Sequence, residues 1–156
     1  MENVLSIAAY ICKRYHETYG SPIDEMKLHK MLYFAQRESF IQKDSPLFDA
    51  TFYGWKYGPV LKELRSAYKD GSLLSCSNSD IAPNTVLIMD RIFHDYAHKD
   101  SWSLSRLSHG ELSWKNSRKG VEADSNSDVA MELDDIRKDA QRIRNRREIL
   151  NAYGLI

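Results

Sequence analysis

The sequence predicts a mainly α-helical fold, a single compact domain of about six helices arranged around one central helix. Three observations predict it. A chain of 156 residues with 42% hydrophobic and 28% charged residues suits one ordinary globular domain, residues 1–156. The apolar residues recur mostly at helical spacing, and glycine or proline separates the resulting segments. One segment, residues 27–42, is apolar on several sides, as expected for a helix that other elements surround.

The central helix is predicted over residues 24–42. Its apolar residues occupy three faces: Leu28, Met31, Leu32 and Ala35 on the first, Phe34 and Ile41 on the second, Tyr33 and Phe40 on the third. Ser21 is the expected N-cap, and Pro22 is expected at the first helical position, where its missing N–H costs nothing. The first two helices are therefore joined tightly and are expected to form a hairpin.

The aromatic segment after the central helix is harder to assign. Residues 51–57 contain β-prone residues interrupted by Gly54, so they form either a short strand or an irregular segment. Gly58 and Pro59 are expected to start the next helix, which runs to about Lys69, because proline presets the backbone of a first helical turn.

The other elements follow from the same spacing and the same glycine and proline breaks. In chain order they are a helix at 3–19 ending at Gly20, a connection at 43–50, a serine-rich loop at 72–82, helices at 85–98 and 104–109, a flexible loop at 115–128, and a C-terminal region 129–156 with a helix at 132–150. The C-terminal helix is expected to bury Leu133, Ile136, Ala140, Ile143 and Leu150.

The composition excludes several classes of protein. Lysine plus arginine and aspartate plus glutamate each number 22, so no overall charge attracts nucleic acid or a membrane surface. No run approaches the ~20 apolar residues of a membrane span, and the N-terminus lacks the basic region of a signal peptide. Cys12 and Cys76 are too far apart to suggest a disulfide framework. The expected location is the cytoplasm, and homo-oligomer formation stays open.

An ordered set of motifs runs through the middle of the chain. Residues 27–36 read KLHKMLYFAQ, residues 46–48 read PLF, and residues 55–60 read WKYGPV. Further on, residues 107–109 read LSH and precede Trp114. In this order the motifs resemble the Panacea domain, an antitoxin family related to SocA and to phage-associated GepA-like proteins.

The resemblance implies a toxin–antitoxin system in which this protein inhibits a neighbour-encoded toxin by direct protein–protein binding. It implies no catalytic residues, no cofactor and no metal. The sequence departs from the family pattern at His29, where glutamine is common, at Gly54, where alanine is common, and at Arg37-Glu38. These departures leave the expected fold unchanged, but the scaffold alone does not identify the toxin.

The residues considered first for toxin binding lie in two adjacent segments. They are Lys30, Phe34 and Arg37 on the central helix, and Phe52, Trp55, Lys56 and Tyr57 after it. Aromatic side chains are favoured interface anchors because they bury a large area at little cost in entropy. The alternative is that these aromatic residues form the core under the central helix, as in most small domains.

A DNA-binding regulator is the second function considered, because the C-terminal helix is basic. Its cations are Arg137, Lys138, Arg142, Arg144, Arg146 and Arg147. A basic helix can bind DNA phosphates. However, acidic residues open the same helix, an arrangement that the helix dipole alone favours, and the arginines are spread around its circumference. The sequence therefore favours toxin binding over DNA binding.

A metal-dependent hydrolase is the third function considered. His94 and His98 stand four residues apart with Asp95 between them, as in the H-E-x-x-H motif of zinc hydrolases. Aspartate is shorter than the usual glutamate base, and zinc requires a third protein ligand, for which His109 is the nearest candidate in sequence. Both histidines also suit the C-terminal end of a helix, where cations complement the dipole. The sequence therefore predicts no enzyme.

Overall fold

The computed structural model describes residues 1–73 and 80–156 and confirms the mainly α-helical class. These residues form seven α-helices, one π-helical turn and a two-stranded antiparallel sheet. In chain order they are α1 Val4–Tyr19, α2 Glu25–Lys43, β1 Phe52–Trp55, β2 Gly58–Leu61, α3 Lys62–Asp70, α4 Pro83–Ile92 with the π-helical turn Phe93–Ala97, α5 Ser101–His109, α6 Leu112–Ser117 and α7 Leu133–Ala152. Most of the serine-rich loop predicted at 72–82 lies outside the described residues.

The helix α2 is the central helix that the sequence predicts. Every residue from Lys27 to Ile41 is buried, and α1, α3, α4, α5, α7 and β2 all contact it. Its polar side chains therefore form hydrogen bonds with other groups of the protein. The Gln36 amide oxygen accepts the Leu47 N–H at 2.7 Å, and its amide nitrogen donates to the Phe48 carbonyl at 3.0 Å. These bonds satisfy the backbone of the connection that follows the helix.

The predicted cap of α2 is wrong. Asp24, and not Ser21, is the N-cap, and its carboxylate accepts the Lys27 N–H at 2.8 Å. The same carboxylate accepts the Ser101 hydroxyl at 2.7 and 2.8 Å, so it also ties α2 to the start of α5. A carboxylate complements the positive end of the helix dipole. Pro22 consequently lies in the connection before the helix.

The segment 51–57 contains a strand, whereas the helix predicted to begin at Pro59 begins only at Lys62. Residues 58–61 instead form β2, which pairs Gly54 with Pro59 and Trp55 with Gly58. The Gly54 N–H points to the other side of β1 and donates to the Val129 carbonyl at 3.3 Å. Proline has no N–H for the hydrogen bonds between strands, so Pro59 is tolerated in β2, which is an edge strand.

Helix boundaries differ from the prediction in the second half of the chain. The helix expected at 104–109 begins at Ser101, because the Asp100 carboxylate caps it by accepting the Ser103 N–H at 2.9 Å. The helix expected at 85–98 ends in the π-helical turn 93–97. In the C-terminal helix Ile136 and Ala140 are buried as expected, but Leu133 is 46% exposed.

The helix α6 was not predicted, and it includes the first residues of the region 115–128. Arg118 follows it and donates to the carbonyls of Gly54, Glu122 and Ser125 at 2.6–3.0 Å. The bond to Gly54 attaches the start of the region 115–128 to β1. The flexibility of the remainder stays a prediction. No helix among the described residues is long and apolar enough to cross a membrane.

Candidate partner-binding surface

The turn between the two strands, residues 55–58, is called the hairpin tip below. Trp55 and Gly58 pair with each other, and Lys56 and Tyr57 form the connecting turn. Gly58 has φ of +115°, a conformation that L side chains rarely adopt. A Cβ at this position would lie 2.6 Å from Lys30 Cε and would also collide with Ser108 Oγ. The hairpin tip therefore requires glycine for both its backbone and its packing.

Four side chains from separate parts of the chain fix the backbone of the hairpin tip and of the residue after it. Ser105 Oγ donates to the Tyr57 carbonyl at 2.7 Å, and Trp114 Nε1 donates to the Trp55 carbonyl at 2.8 Å. The Lys56 N–H donates to Asn126 Oδ1 at 3.1 Å. Lys30 Nζ donates to the carbonyl of Pro59 at 3.2 Å. The turn is thus positioned before any partner arrives.

Lys30 lies beneath the hairpin tip with only 1% of its surface exposed. None of the described carboxylates is within salt-bridge distance of its ammonium group, which bonds the Pro59 carbonyl. Loss of water around this group lowers the pKa of Lys30 to about 7. Lys30 therefore supports the turn from inside.

The accessible part of the surface is an aromatic pair. Tyr57 is 44% exposed and Trp102 on α5 is 54% exposed, and their rings meet edge to face with centroids 5.2 Å apart. The Lys56 ammonium lies 5.0 Å from the centroid of the Tyr57 ring. Large aromatic side chains with this degree of exposure are the type that dominates binding energy at protein interfaces.

Sequence reasoning missed Trp102. A signal was present, because Trp102 is two residues before the buried Leu104 and so falls on the opposite side of that helix. It also stands three residues before Ser105, which bonds the Tyr57 carbonyl. What the sequence does not indicate is that this side of α5 meets the hairpin tip.

The structure divides the seven residues predicted for partner binding. Lys30, Phe34, Arg37 and Phe52 are buried, so they are not surface anchors in this structure. Trp55 and Lys56 are partly exposed and Tyr57 is exposed.

The buried aromatic and cationic residues of this set have internal roles, on α2 and on β1. The Phe34 ring stacks on Tyr96 with centroids 4.2 Å apart. Arg37 donates to Glu111 Oε1 at 2.8 Å and to the Tyr96 hydroxyl at 2.6 Å. Phe52 packs edge to face on Tyr33. The expected basic and aromatic face of the central helix is therefore part of the core.

Two polar atoms near the hairpin tip are buried without a hydrogen-bond partner among the described residues. They are Trp55 Nε1 and His109 Nε2. The Trp55 ring lies under the Arg65 guanidinium, and the His109 ring stacks on Trp114 with centroids 4.1 Å apart. Loss of water, assisted by the charge of Lys30, lowers the pKa of His109. Unbonded buried donors and acceptors are uncommon in folded proteins and merit a functional explanation.

The histidine pair considered for metal binding does not form a centre. His94 and His98 are both exposed, and His94 Nδ1 lies 2.9 Å from Asp95 Oδ1. His109, the third candidate ligand, stacks on Trp114 instead. Across residues 1–73 and 80–156, no group of three histidine, cysteine or acidic side chains could hold a metal ion. The geometry therefore offers no support for a hydrolase.

The arginines of α7 mostly bind within the protein. Arg147 pairs with the buried Glu38 through two bonds of 2.8 and 2.9 Å, and Arg144 donates to the Ile41 carbonyl at 2.6 Å. Arg137 donates to Asp44 and Arg142 to Glu111, at 2.6 and 3.1 Å. Arg146 is exposed. These contacts give most of the basic residues a role in holding α7 against the rest of the protein.

The fold defines a mainly α-helical protein with one short aromatic hairpin. A family model described as antitoxin SocA-like, Panacea domain, matches residues 28–115, which is more than half of the chain. The chain therefore belongs to this antitoxin family, as the motifs of the sequence indicate. No match was found among curated proteins or among solved structures. The matched region contains most of α2, the hairpin and α5, whereas α1 and α7 lie outside it.

Proposed function

We propose that this protein is an antitoxin that neutralises a neighbour-encoded toxin by direct binding in the cytoplasm. Its contact surface is the hairpin tip, through Trp55, Lys56 and Tyr57, together with Trp102. Membership of the antitoxin family supports a toxin as the partner. The observation that carries the proposal is the exposed Tyr57–Trp102 pair on a backbone that four side chains hold in place.

This arrangement meets the physical requirements of a tight inhibitor. Association loses free energy when mobile loops and side chains have to be ordered at the interface. The hairpin tip is already ordered by its bonds to Ser105, Trp114 and Asn126, so little of that cost remains. Two exposed aromatic rings then provide the apolar area that anchors a partner, and polar residues around them exclude water.

The test uses the product of the adjacent open reading frame as the toxin. Tyr57→Ala and Trp102→Ala should each weaken binding more than tenfold, about 1.4 kcal/mol, and impair rescue of growth on co-expression. Both side chains are exposed, so both variants should keep the thermal stability of the native protein. Calorimetry of the purified pair and a thermal melt of each variant provide the measurements.

Tyr153→Ala is the matched control. Tyr153 is also an exposed tyrosine, but it lies at the end of α7 and outside the proposed surface, so its removal should leave affinity unchanged. Full rescue and native affinity in folded Tyr57→Ala and Trp102→Ala variants would overturn the surface. A neighbouring gene that is harmless when expressed alone would overturn the antitoxin role.

A further inference from the structure

We infer that the partner face docking on the hairpin tip is acidic, with carboxylates placed beside an apolar side chain that contacts Tyr57 and Trp102. The inference rests on the proposed function and specifies the chemistry of its partner. Two groups of cations around the hairpin support it. The cations of the first group form ion pairs with carboxylates of the protein, and those of the second group do not.

The cations on the flank of the hairpin have internal partners. Lys62 lies 4.2 Å from the centroid of the Tyr53 ring and pairs with Asp128 at 2.7 Å. Arg65 lies over the Trp55 ring and pairs with Glu25 at 3.3 Å. Each of these aromatic–cation contacts therefore has a carboxylate from the protein itself.

The cations beside the exposed aromatic pair form no close ion pair of this kind, although Arg106 interacts with Asp100 at longer range. Within residues 1–73 and 80–156, neither Lys56 nor Arg106 has a carboxylate within 4.0 Å. Lys56 contacts the Tyr57 ring, and Arg106 lies one helical turn after Trp102 and donates to Ser103 Oγ at 3.3 Å. A partner that covers this surface must desolvate these cations, which is costly unless it supplies carboxylates.

A protein fits this surface better than a nucleic acid. Nucleic-acid binding needs a row of cations that follows successive phosphates. The surface offers two cations, partly exposed Lys56 at the hairpin tip and exposed Arg106 on α5. The chain has equal numbers of acidic and basic residues, and α7 uses most of its arginines internally. Two cations at the edge of two rings instead match a compact acidic and apolar protein segment, in which opposite charges give specificity and fast association.

The first experiment measures affinity for the purified neighbour-encoded protein. Lys56→Glu and Arg106→Glu should each raise Kd at least tenfold, whereas Lys56→Met should raise it less. Native binding should weaken between about 50 and 300 mM NaCl, and this salt dependence should shrink in a Lys56→Met/Arg106→Gln double variant. Lys13→Glu, the same charge change at an exposed site on α1, should leave Kd within about twofold.

The second experiment identifies the carboxylates directly. A zero-length carbodiimide cross-linker joins a lysine amine to a carboxylate that it touches. Mass spectrometry of the treated complex should find Lys56 linked to an aspartate or glutamate of the partner. Lys56→Arg should keep the binding but lose this cross-link, because arginine retains the charge without a reactive amine.

The outcomes separate the inference from the proposed function. Loss of binding in Tyr57→Ala, with unchanged Kd in both glutamate variants and no Lys56 cross-link, would keep the surface and overturn the acidic partner. A neighbour-encoded protein that does not bind the native protein would overturn both. Tight binding of a thymidine oligonucleotide of about twenty residues, lost in Lys56→Glu, would overturn the choice of a protein partner.

Discussion

The surface around the hairpin tip and the helix α7 both carry basic side chains, but they use these charges differently. On α7, four arginines bond carboxylates or backbone carbonyls of the same protein, and one of these carboxylates, Glu38, is 3% exposed. By contrast, Lys56 at the hairpin tip and Arg106 on α5 have no described carboxylate within 4.0 Å. A count of basic residues therefore does not identify a binding surface. The positions of the acidic groups decide which cations remain for a partner.

The two regions also differ in how they are attached to α2. The arginines of α7 keep their charge at every physiological pH. The hairpin is attached to α2 through His29 and Lys30, whose protonation is sensitive to their surroundings. The attachment of α7 should therefore depend on buried ion pairs, and the attachment of the hairpin on packing, backbone geometry and pH.

The largest expected effect removes one ion pair of α7. Arg147→Gln should lower the free energy of unfolding by about 3 kcal/mol, because it leaves the Glu38 carboxylate buried without its cation. Urea unfolding measures the loss. Arg146→Gln, the same change one residue earlier at an exposed position, should cost no more than about 0.5 kcal/mol. Equal effects of the two substitutions would mean that α7 is not held by its paired arginines.

The contrast between Arg146 and Arg147 shows that the sequence alone does not predict which charged residues form internal ion pairs. The spacing of apolar residues correctly predicted the central helix, because apolar side chains occur on several faces between Lys27 and Ile41. The same spacing cannot show that Glu38 lies where Arg147 reaches it, 109 residues later in the chain. The sequence therefore predicted the helix and its burial, but not which of its charged residues would be internal.

The missed helix α6 has a similar cause. A helix start is normally recognised from a capping residue just before it. Here the cap is Asp139 on α7, whose carboxylate accepts the N–H groups of Leu112 and Ser113 at 2.7 and 2.9 Å. The residues just before Leu112 give no indication of a capping residue that is 27 positions away. By contrast, the β-prone residues of the segment 51–57 did offer a local signal for a strand.

The next effect tests the geometry of the hairpin tip. Gly58→Ala should lower the free energy of unfolding by about 2 kcal/mol, since the new Cβ meets Lys30 and Ser108 at a φ of +115°. Gly71→Ala is the control, at φ of +76° with no atom of the described residues within 4 Å of the added Cβ, and should cost about 1 kcal/mol from backbone strain. A Gly58→Ala variant as stable as Gly71→Ala would show that the turn is not tightly packed on Lys30.

The smallest effect concerns the pH dependence of the hairpin attachment at His29. Its Nδ1 accepts the Leu61 N–H at 3.1 Å, so the proton of the neutral ring is assigned to Nε2, which lies 3.1 Å from Glu25. Burial lowers the pKa of His29, and the charges of Lys30 and Arg65 lower it further, against the opposing effect of Glu25. The folded protein therefore binds this proton less readily than the unfolded chain does.

The sign of the effect follows from this difference in proton binding. Above the unfolded pKa of about 6.5 the ring is neutral in both states, and its stabilising contribution is complete. As the pH falls from there to the lower folded pKa, stability decreases by up to about 1.4 kcal/mol per pH unit. Protonation of Nδ1 also removes the acceptor of the Leu61 N–H and so loosens the hairpin from α2.

His29→Gln separates this contribution from the rest of the protein. A glutamine amide can accept the Leu61 N–H and donate to Glu25, so stability at pH 7.5 should change by less than about 1 kcal/mol. Between about pH 6.5 and 5, urea unfolding of this variant should show a flatter decline than that of the native protein. His98→Gln, which replaces an exposed histidine, should keep the native decline. If His29→Gln declined as steeply as the native protein, the acid sensitivity would arise elsewhere and not from the attachment of the hairpin at His29.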